Sequence, residues 1–258
     1  YRLYLLLRQT MRYFIGNWKM FGVPKSIGII SKINDYIKLD KNNKKYLAVI
    51  TPPYTLLESY SKSFKNKKTS IGAQNCYHKD FFSSNTGAIS AYMIKSLGVK
   101  YVIIGHSDNR SEGDTNQILK SKVSHALKNN LKIIFCIGEN KLQKNKKLTT
   151  KVLEKQITSV LEKKFDKKKI IIAYEPIWSI GTGKIPTMAE LLVTTKSIKK
   201  VLLKLYGNKE TPPVLYGGSV DSSNILEFKN LPEIDGFLIG GASKSSKNFI
   251  DIIKNYYR

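Results

Sequence analysis

Ala173-Tyr174-Glu175-Pro176-Ile177-Trp178-Ser179-Ile180-Gly181-Thr182-Gly183-Lys184 continues an apolar run that begins at Ile170. The run has the length and composition of a short buried strand. It ends on a carboxylate, Glu175, and leaves through Pro176 into a loop bracketed by Gly181 and Gly183. A carboxylate at the end of a buried strand has a rigid mount beside the mouth of a core. Partial burial there can tune its pKa for work as a general base. The loop adds Trp178, a large apolar cover, between glycines whose backbone can swing or approach an anion. A surface Glu before an ordinary Gly-rich turn would look the same in isolation.

Outward from this stretch the chain alternates. Strand-like runs occupy Tyr13 to Gly16, Tyr46 to Ile50, Ser70 to Ala73, Tyr101 to Ile104, Lys132 to Cys136, Ile170 to Tyr174, Val214 to Tyr216 and Gly236 to Ile239. Helical spacing appears at Ser26 to Leu39, from Thr55, from Ser90, at Thr115 to Lys128, in a Lys-rich helix ending near Phe165, and at Thr187 to about Leu205. Short helical stretches are expected after the last two strands. Alternation of this kind calls for parallel pairing through right-handed crossovers. Eight such units in 258 residues predict an α/β fold, a single eight-stranded parallel (β/α) barrel over 13–258. Residues 1–12 read as a leader remnant or an upstream extension, Tyr4 to Leu7 being apolar between Arg2 and Arg8.

Composition excludes several classes. Hydrophobic residues make up 41% and aromatics 10%, which argues against disorder despite a net charge of +25. No apolar run approaches the ~20 residues of a membrane span. Cys76 and Cys136 are too few for a disulfide framework and suit a reducing compartment. The lysine clusters at 44–45, 65–68, 141–147 and 163–169 are dispersed and come without a nucleic-acid motif. They predict a solvated surface rather than a specific nucleic-acid partner. Such a surface can still speed encounter with an anionic substrate.

In a barrel, the strand ends converge on one face, and the chemistry-bearing residues sit there. Asn17 and Lys19 follow the first strand, His106 the fourth and Glu175 the sixth. Gly217-Gly218-Ser219 follows the seventh and Gly240-Gly241 the eighth. Backbone N–H groups without a neighbouring Cβ can point into the oxygens of an anion, and phosphate binding after the last two strands is a recurrent barrel device.

Gly16-Asn17-Trp18-Lys19, Ile104-Gly105-His106-Ser107, the stretch through Glu175, Tyr216-Gly217-Gly218-Ser219 and Ile239-Gly240-Gly241-Ala242-Ser243 together resemble the triosephosphate isomerase family, in the same order along the chain. The resemblance runs from about Tyr13 to near the C-terminus. It implies interconversion of dihydroxyacetone phosphate and glyceraldehyde 3-phosphate through an enediolate, a step of glycolysis and gluconeogenesis, with no metal and no cofactor. The roles that follow are the family's own, not deductions from spacing: Glu175 as base, His106 as neutral proton shuttle, Lys19 and Asn17 at the developing oxyanion. Gly181, Ser219, Gly240 and Gly241 would bind phosphate together with Asn17 and Lys19. Ser107 would hold Glu175 while the lid is open, and closure of 176–184 would shed water. Thr86-Gly87 matches the loop through which members form a homodimer, its tip docking near the partner's Met20. The compartment stays open between the cytoplasm and, if 1–12 is a leader remnant, an organelle such as a plastid.

Some positions depart from the family. Asp108-Asn109-Arg110 stands where Glu-Arg-Arg is usual, so Asp108 is expected to fall short of Lys19. Ala88 and Asn109 replace both members of one ion pair, and Asp114 replaces a Glu. Trp18 and Glu139 are expected to serve packing and loop structure, and His78 and His125 to be ordinary hydrogen-bonded histidines. Two other functions compete on sequence alone. A barrel for another sugar or indole phosphate would keep the glycine pairs without the Asn-Lys, His and Glu set. A polyanion-binding barrel would use only the charge.

Overall fold

The computed structural model describes residues 11–207 and 210–258; residues 1–10 of the expected extension lie outside them. Eight strands, β1 (Arg12–Asn17), β2 (Tyr46–Thr51), β3 (Thr69–Ala73), β4 (Tyr101–Ile104), β5 (Lys132–Ile137), β6 (Ile170–Tyr174), β7 (Val214–Tyr216) and β8 (Gly236–Ile239), pair in sequence order into a closed parallel barrel. Closure joins the first strand to the last, with Tyr13 opposite Gly236 and Gly16 opposite Ile239.

Period-two alternation divides the strands between two cores. Ile15, Val49, Ile103, Ile134, Cys136, Ile171, Ala173, Leu215 and Leu238 fill the barrel interior. Their neighbours Phe14, Ile50, Ile104, Phe135, Ile172, Tyr216 and Phe237 face the surrounding helices. The same parity carried past the strand ends brings Asn17, Glu175, Gly217 and Gly240 toward the carboxyl-end mouth.

The helices form where capping and periodicity agree. They are α1 (Ile27–Leu39), α2 (Tyr54–Ser63), α3 (Ala91–Ser96), α4 (Ser107–Ser111), α5 (Asn116–Lys128), α6 (Lys141–Asn145), α7 (Thr149–Thr158), α8 (Met188–Tyr206) and α9 (Ser246–Tyr256). Ser90 and Thr115 cap α3 and α5 by accepting the N–H of Met93 and Ile118. Thr187 and Glu190 close a reciprocal capping box on α8. Three-ten turns cover Ile225–Asn230 and Gly241–Lys244.

One helix differs from expectation. The Lys-rich segment is split into α6 and α7 and stops at Thr158, short of Phe165. Lys147 adopts φ +57° between the two, a left-handed turn no helix continues through. Beyond Thr158 the chain runs on in turns and coil, and Val160, Leu161 and Phe165 are buried from there without a helix. No helix among the described residues is long and apolar enough to cross a membrane.

Candidate active site

Glu175 follows Ile171 and Ala173 in parity, so its side chain arrives at the floor of the mouth. Its backbone N–H donates to Ile137 O, which ties the strand end to β5. Glu175 and His106 are each 4% exposed, and Glu175 Oε1 lies 3.3 Å from His106 Nε2. Glu175 Oε2 is buried without a hydrogen-bond partner. A carboxylate oxygen in that state is poised to accept a proton.

His106 caps α4 with its ring. Nδ1 accepts the backbone N–H of Asp108 at 3.1 Å. A nitrogen that accepts is unprotonated, so this bond selects the neutral ring with its proton on Nε2, facing Glu175. Burial pulls the imidazole pKa down, but the charge and hydrogen bond of Glu175, with help from Asp108, outweigh it and draw the net value up. The two influences oppose one another, and the donated helix N–H is the one that fixes the tautomer.

Lys19 leaves β1 at φ +55°, an uncommon conformation for a residue with a side chain. Its N–H donates to Asn17 Oδ1 at 3.1 Å, and its carbonyl accepts from Gln74 Nε2 at 2.9 Å. These bonds hold the strained turn. Its Nζ donates to Asp108 Oδ2 at 3.1 Å, which corrects the expectation that aspartate falls short. The first turn of α4 is bonded back onto His106, and this brings the shorter carboxylate within reach.

Asn17, Lys19, His106, Glu175, Gly181, Ser219, Gly240 and Gly241 all line one cavity of about 420 Å³. Ser107 and Asp108 stand outside it. Among the described residues no hydrogen bond joins the Ser107 hydroxyl to Glu175, whose Oε1 faces His106 Nε2 instead. Thr86 and Gly87 are exposed on the loop after β3 and do not line the cavity.

The glycines divide into two kinds. A Cβ on Gly240 or Gly241 would meet nothing within 4 Å, so both border open space that a ligand can enter. A Cβ on Gly217 would stand 2.6 Å from Glu175 Cγ, and one on Gly218 would collide with the Tyr216 hydroxyl. These two make room for side chains. The loop after Glu175 begins with a three-ten turn over Ile177–Ser179, and Ser219 Oγ donates to Ser179 O at 2.8 Å. Trp178 Nε1 donates to Glu139 Oε1 at 2.9 Å, which gives Glu139 its loop role.

Sequence reasoning missed several supports. Gln74 bonds both Lys19 O and Thr51 O. Arg110 donates to Gly105 O and Cys136 O, bracing the ends of β4 and β5. The Cys136 thiol is buried against Glu175 and its pKa is driven up by that burial. Asp114 pairs with buried Lys122 at 2.7 Å, and Lys122 also donates to Asn75. His125 differs from its reading, its Nδ1 being buried without a partner. Nothing in the local sequence patterns marks these contacts, since each joins residues from different loops or helices. Among the described residues no three His, Cys, Asp or Glu gather in a metal-binding group.

A closed barrel with a facing carboxylate and imidazole, a strained lysine and a glycine-edged opening at the carboxyl ends of its strands defines an acid–base enzyme of the (β/α) barrel class. The profile of the family described as triosephosphate isomerase matches residues 12–256. Similar proteins include triosephosphate isomerases of Borrelia garinii, 39% identical with 96% of this chain and 99% of the relative covered, and of Mycoplasma mobile, 40% identical with 94% and 99% covered. The solved triosephosphate isomerase from Bartonella henselae superposes with a TM-score of 0.87 at 32% identity, over 96% of this chain and 99% of that one. This chain belongs to the triosephosphate isomerase family.

Proposed function

We propose that Glu175 and His106 are the proton-transfer pair of this enzyme. As a triose-phosphate isomerase, the chain interconverts dihydroxyacetone phosphate and glyceraldehyde 3-phosphate, a step of glycolysis. Glu175 Oε2 takes a proton from the carbon beside the carbonyl, leaving an enediolate. The Nε2 proton of neutral His106 meets the oxygen where negative charge grows, and the ring then passes protons between the two oxygens. Glu175 returns its proton to the neighbouring carbon, so the reaction consumes no net acid or base. Lys19 Nζ and the Asn17 amide add charge and a donor at the same oxygen, and stabilisation there is worth most in a water-poor site. Gly181, Ser219, Gly240 and Gly241 receive the phosphate, and the lid over 176–184 sheds water and protects the enediolate.

The observation that carries this reading is the buried 3.3 Å approach of Glu175 Oε1 to His106 Nε2 at the edge of the cavity. A coupled isomerase assay on purified protein tests it. Turnover that survives removal of the Glu175 carboxylate would refute it.

The active form in this reading is a homodimer through the loop after β3. Met20 is 98% exposed, and Phe81 and Phe82, in the middle of that loop, are also exposed and stack with half-buried Tyr92, leaving apolar side chains that a second copy could cover. Because Ala88 and Asn109 lack the usual charge pair, the dimer should dissociate more readily on dilution. Sedimentation showing monomer alone at high concentration would end the dimer claim.

A further inference from the structure

Trp178 sits in the front of the lid, one turn after the proposed base. Its indole edge is fixed by Glu139, and Tyr174 Oη donates to the same Glu139 oxygen at 3.3 Å. Its face is covered from a third element. Lys144 of α6 places Nζ 3.6 Å from the ring centroid, and Lys141 stands farther out at 5.3 Å. A lysine ammonium so close over an indole is held by the ring quadrupole.

The same Lys144 Nζ lies 3.1 Å from Glu190 Oε1. Glu190 belongs to the capping box of α8, in which its other oxygen accepts the N–H of Thr187 at 2.9 Å. Thr187 follows directly on the rear of the lid, after Lys184-Ile185-Pro186. One ammonium therefore touches the front of the lid through Trp178 and the anchor of its rear through Glu190. Both hinges meet on a side chain that the lid itself does not contain.

We propose that Lys144 is a positioning residue, a clasp that joins the two hinges of the lid and holds the arrangement in which Glu175 faces His106. The inference rests on the reading that 176–184 closes over the site. Lys144 is not among the residues lining the cavity, so its influence on turnover runs through Trp178 and Glu190. The Lys144 side chain is 25% exposed and Glu190 48%, so the clasp is partly screened and modest in strength. A modest bias suits a lid that must also open to release product.

The test uses the full chain labelled with 5-fluorotryptophan, whose two tryptophans give two fluorine resonances, Trp18 deep in the fold and Trp178 in the lid. The ligand is a two-carbon phosphorylated carboxylate that resembles the enediolate. In Lys144→Met, turnover should fall about fivefold to tenfold, inhibitor release should quicken by a similar factor, and the Trp178 resonance should shift or broaden while Trp18 stays in place. Lys144→Arg should restore turnover to within about twofold, because a guanidinium also stacks on indole and pairs with a carboxylate. Lys141→Met with Lys144→Met removes any substitute cation and should deepen the loss. If the inhibitor leaves Trp178 unmoved in the parent protein, the lid reading fails and the clasp with it. If Trp178 responds in the parent but Lys144→Met and the double variant keep parental turnover and the same resonance, the clasp alone is overturned.

Discussion

Lys19 Nζ and Asp108 Oδ2 lie 3.1 Å apart, and the backbone N–H of the same Asp108 donates to His106 Nδ1. One residue thus steadies the proposed oxyanion lysine with its side chain and the proton-shuttling ring with its backbone. The shorter carboxylate is sufficient because His106 caps α4 and holds Asp108 in its first turn.

Asp108→Asn keeps size and the backbone bond but removes the charge. Both groups of the pair are partly exposed, so turnover should fall only about two- to fivefold. Asp108→Glu should bring no gain, since the gap it would span is already closed. Steady-state kinetics on both variants decide this, and a gain well above the parent for the glutamate variant would mean that Lys19 is poorly held.

Glu175→Gln removes the base while keeping the side chain's shape. Turnover should drop by roughly 10²–10⁴, with affinity for a phosphorylated inhibitor little changed. Retention of turnover within about tenfold of the parent would exclude Glu175 as the base.

The same variant has a second readout. Burial lowers the His106 pKa, while Glu175, through its charge and hydrogen bond, is the main influence raising it. In Glu175→Gln burial should prevail, and the His106 resonance should titrate at lower pH than in the parent. A raised folded-state pKa stabilises the fold fully below the unfolded value of about 6.5 and loses that contribution as pH rises through the folded value. The parent's stability relative to Glu175→Gln should therefore be greatest on the acid side of that point and shrink above it. An unchanged or higher His106 titration in the variant would contradict the assigned cause.

Gly217→Ala and Gly240→Ala should fail in different ways. The new methyl at 217 collides with Glu175 Cγ, and a shift of about 1 Å in a reacting group can lower turnover on the order of a hundredfold. The methyl at 240 meets no protein atom but occupies ligand space, so KM should rise with turnover changed far less. Kinetics showing the same split for both variants would mean that the glycines share one role.

Lys122→Met leaves Asp114 buried without its cation. Side-chain exposures of 5% and 11% put the pair in the range where removing one partner costs about 3–5 kcal/mol. Adding Asp114→Asn should recover much of that loss. Urea denaturation of the single and double variants measures both, and a neutral single variant would show that water already reaches the pair.

How much of this was legible in the sequence depended on distance along the chain. The strands were legible because Ile170 to Tyr174 and its counterparts carry their own apolar signal, and Glu175 was legible because a carboxylate that ends such a run, just before a Gly-bracketed loop, stands out. The break at Lys147 was not, since a lysine in a left-handed turn gives no local sign where glycine or asparagine would. Gln74 on Lys19, Arg110 on Cys136 and Lys144 on Trp178 escaped for a different reason. Each pairing is decided by how separate loops meet at the barrel rim, and no periodicity records that. Gly217 was noticed for its missing side chain, but its purpose, clearance for Glu175, appears only once β6 and β7 are neighbours.

The pairing of β1 with β8 also sets when the enzyme can exist at all. Asn17 is made early and Gly240 near the end, and the register of Tyr13 with Gly236 is available only after both have left the ribosome. At roughly 5–20 residues per second, that interval lasts on the order of ten to fifty seconds. Throughout it β1 and the latest strand present unpaired backbone, the kind of edge that recruits other nascent chains. Catalysis therefore arrives in a single late event, when the last strand meets the first and the open rim of the growing polypeptide disappears.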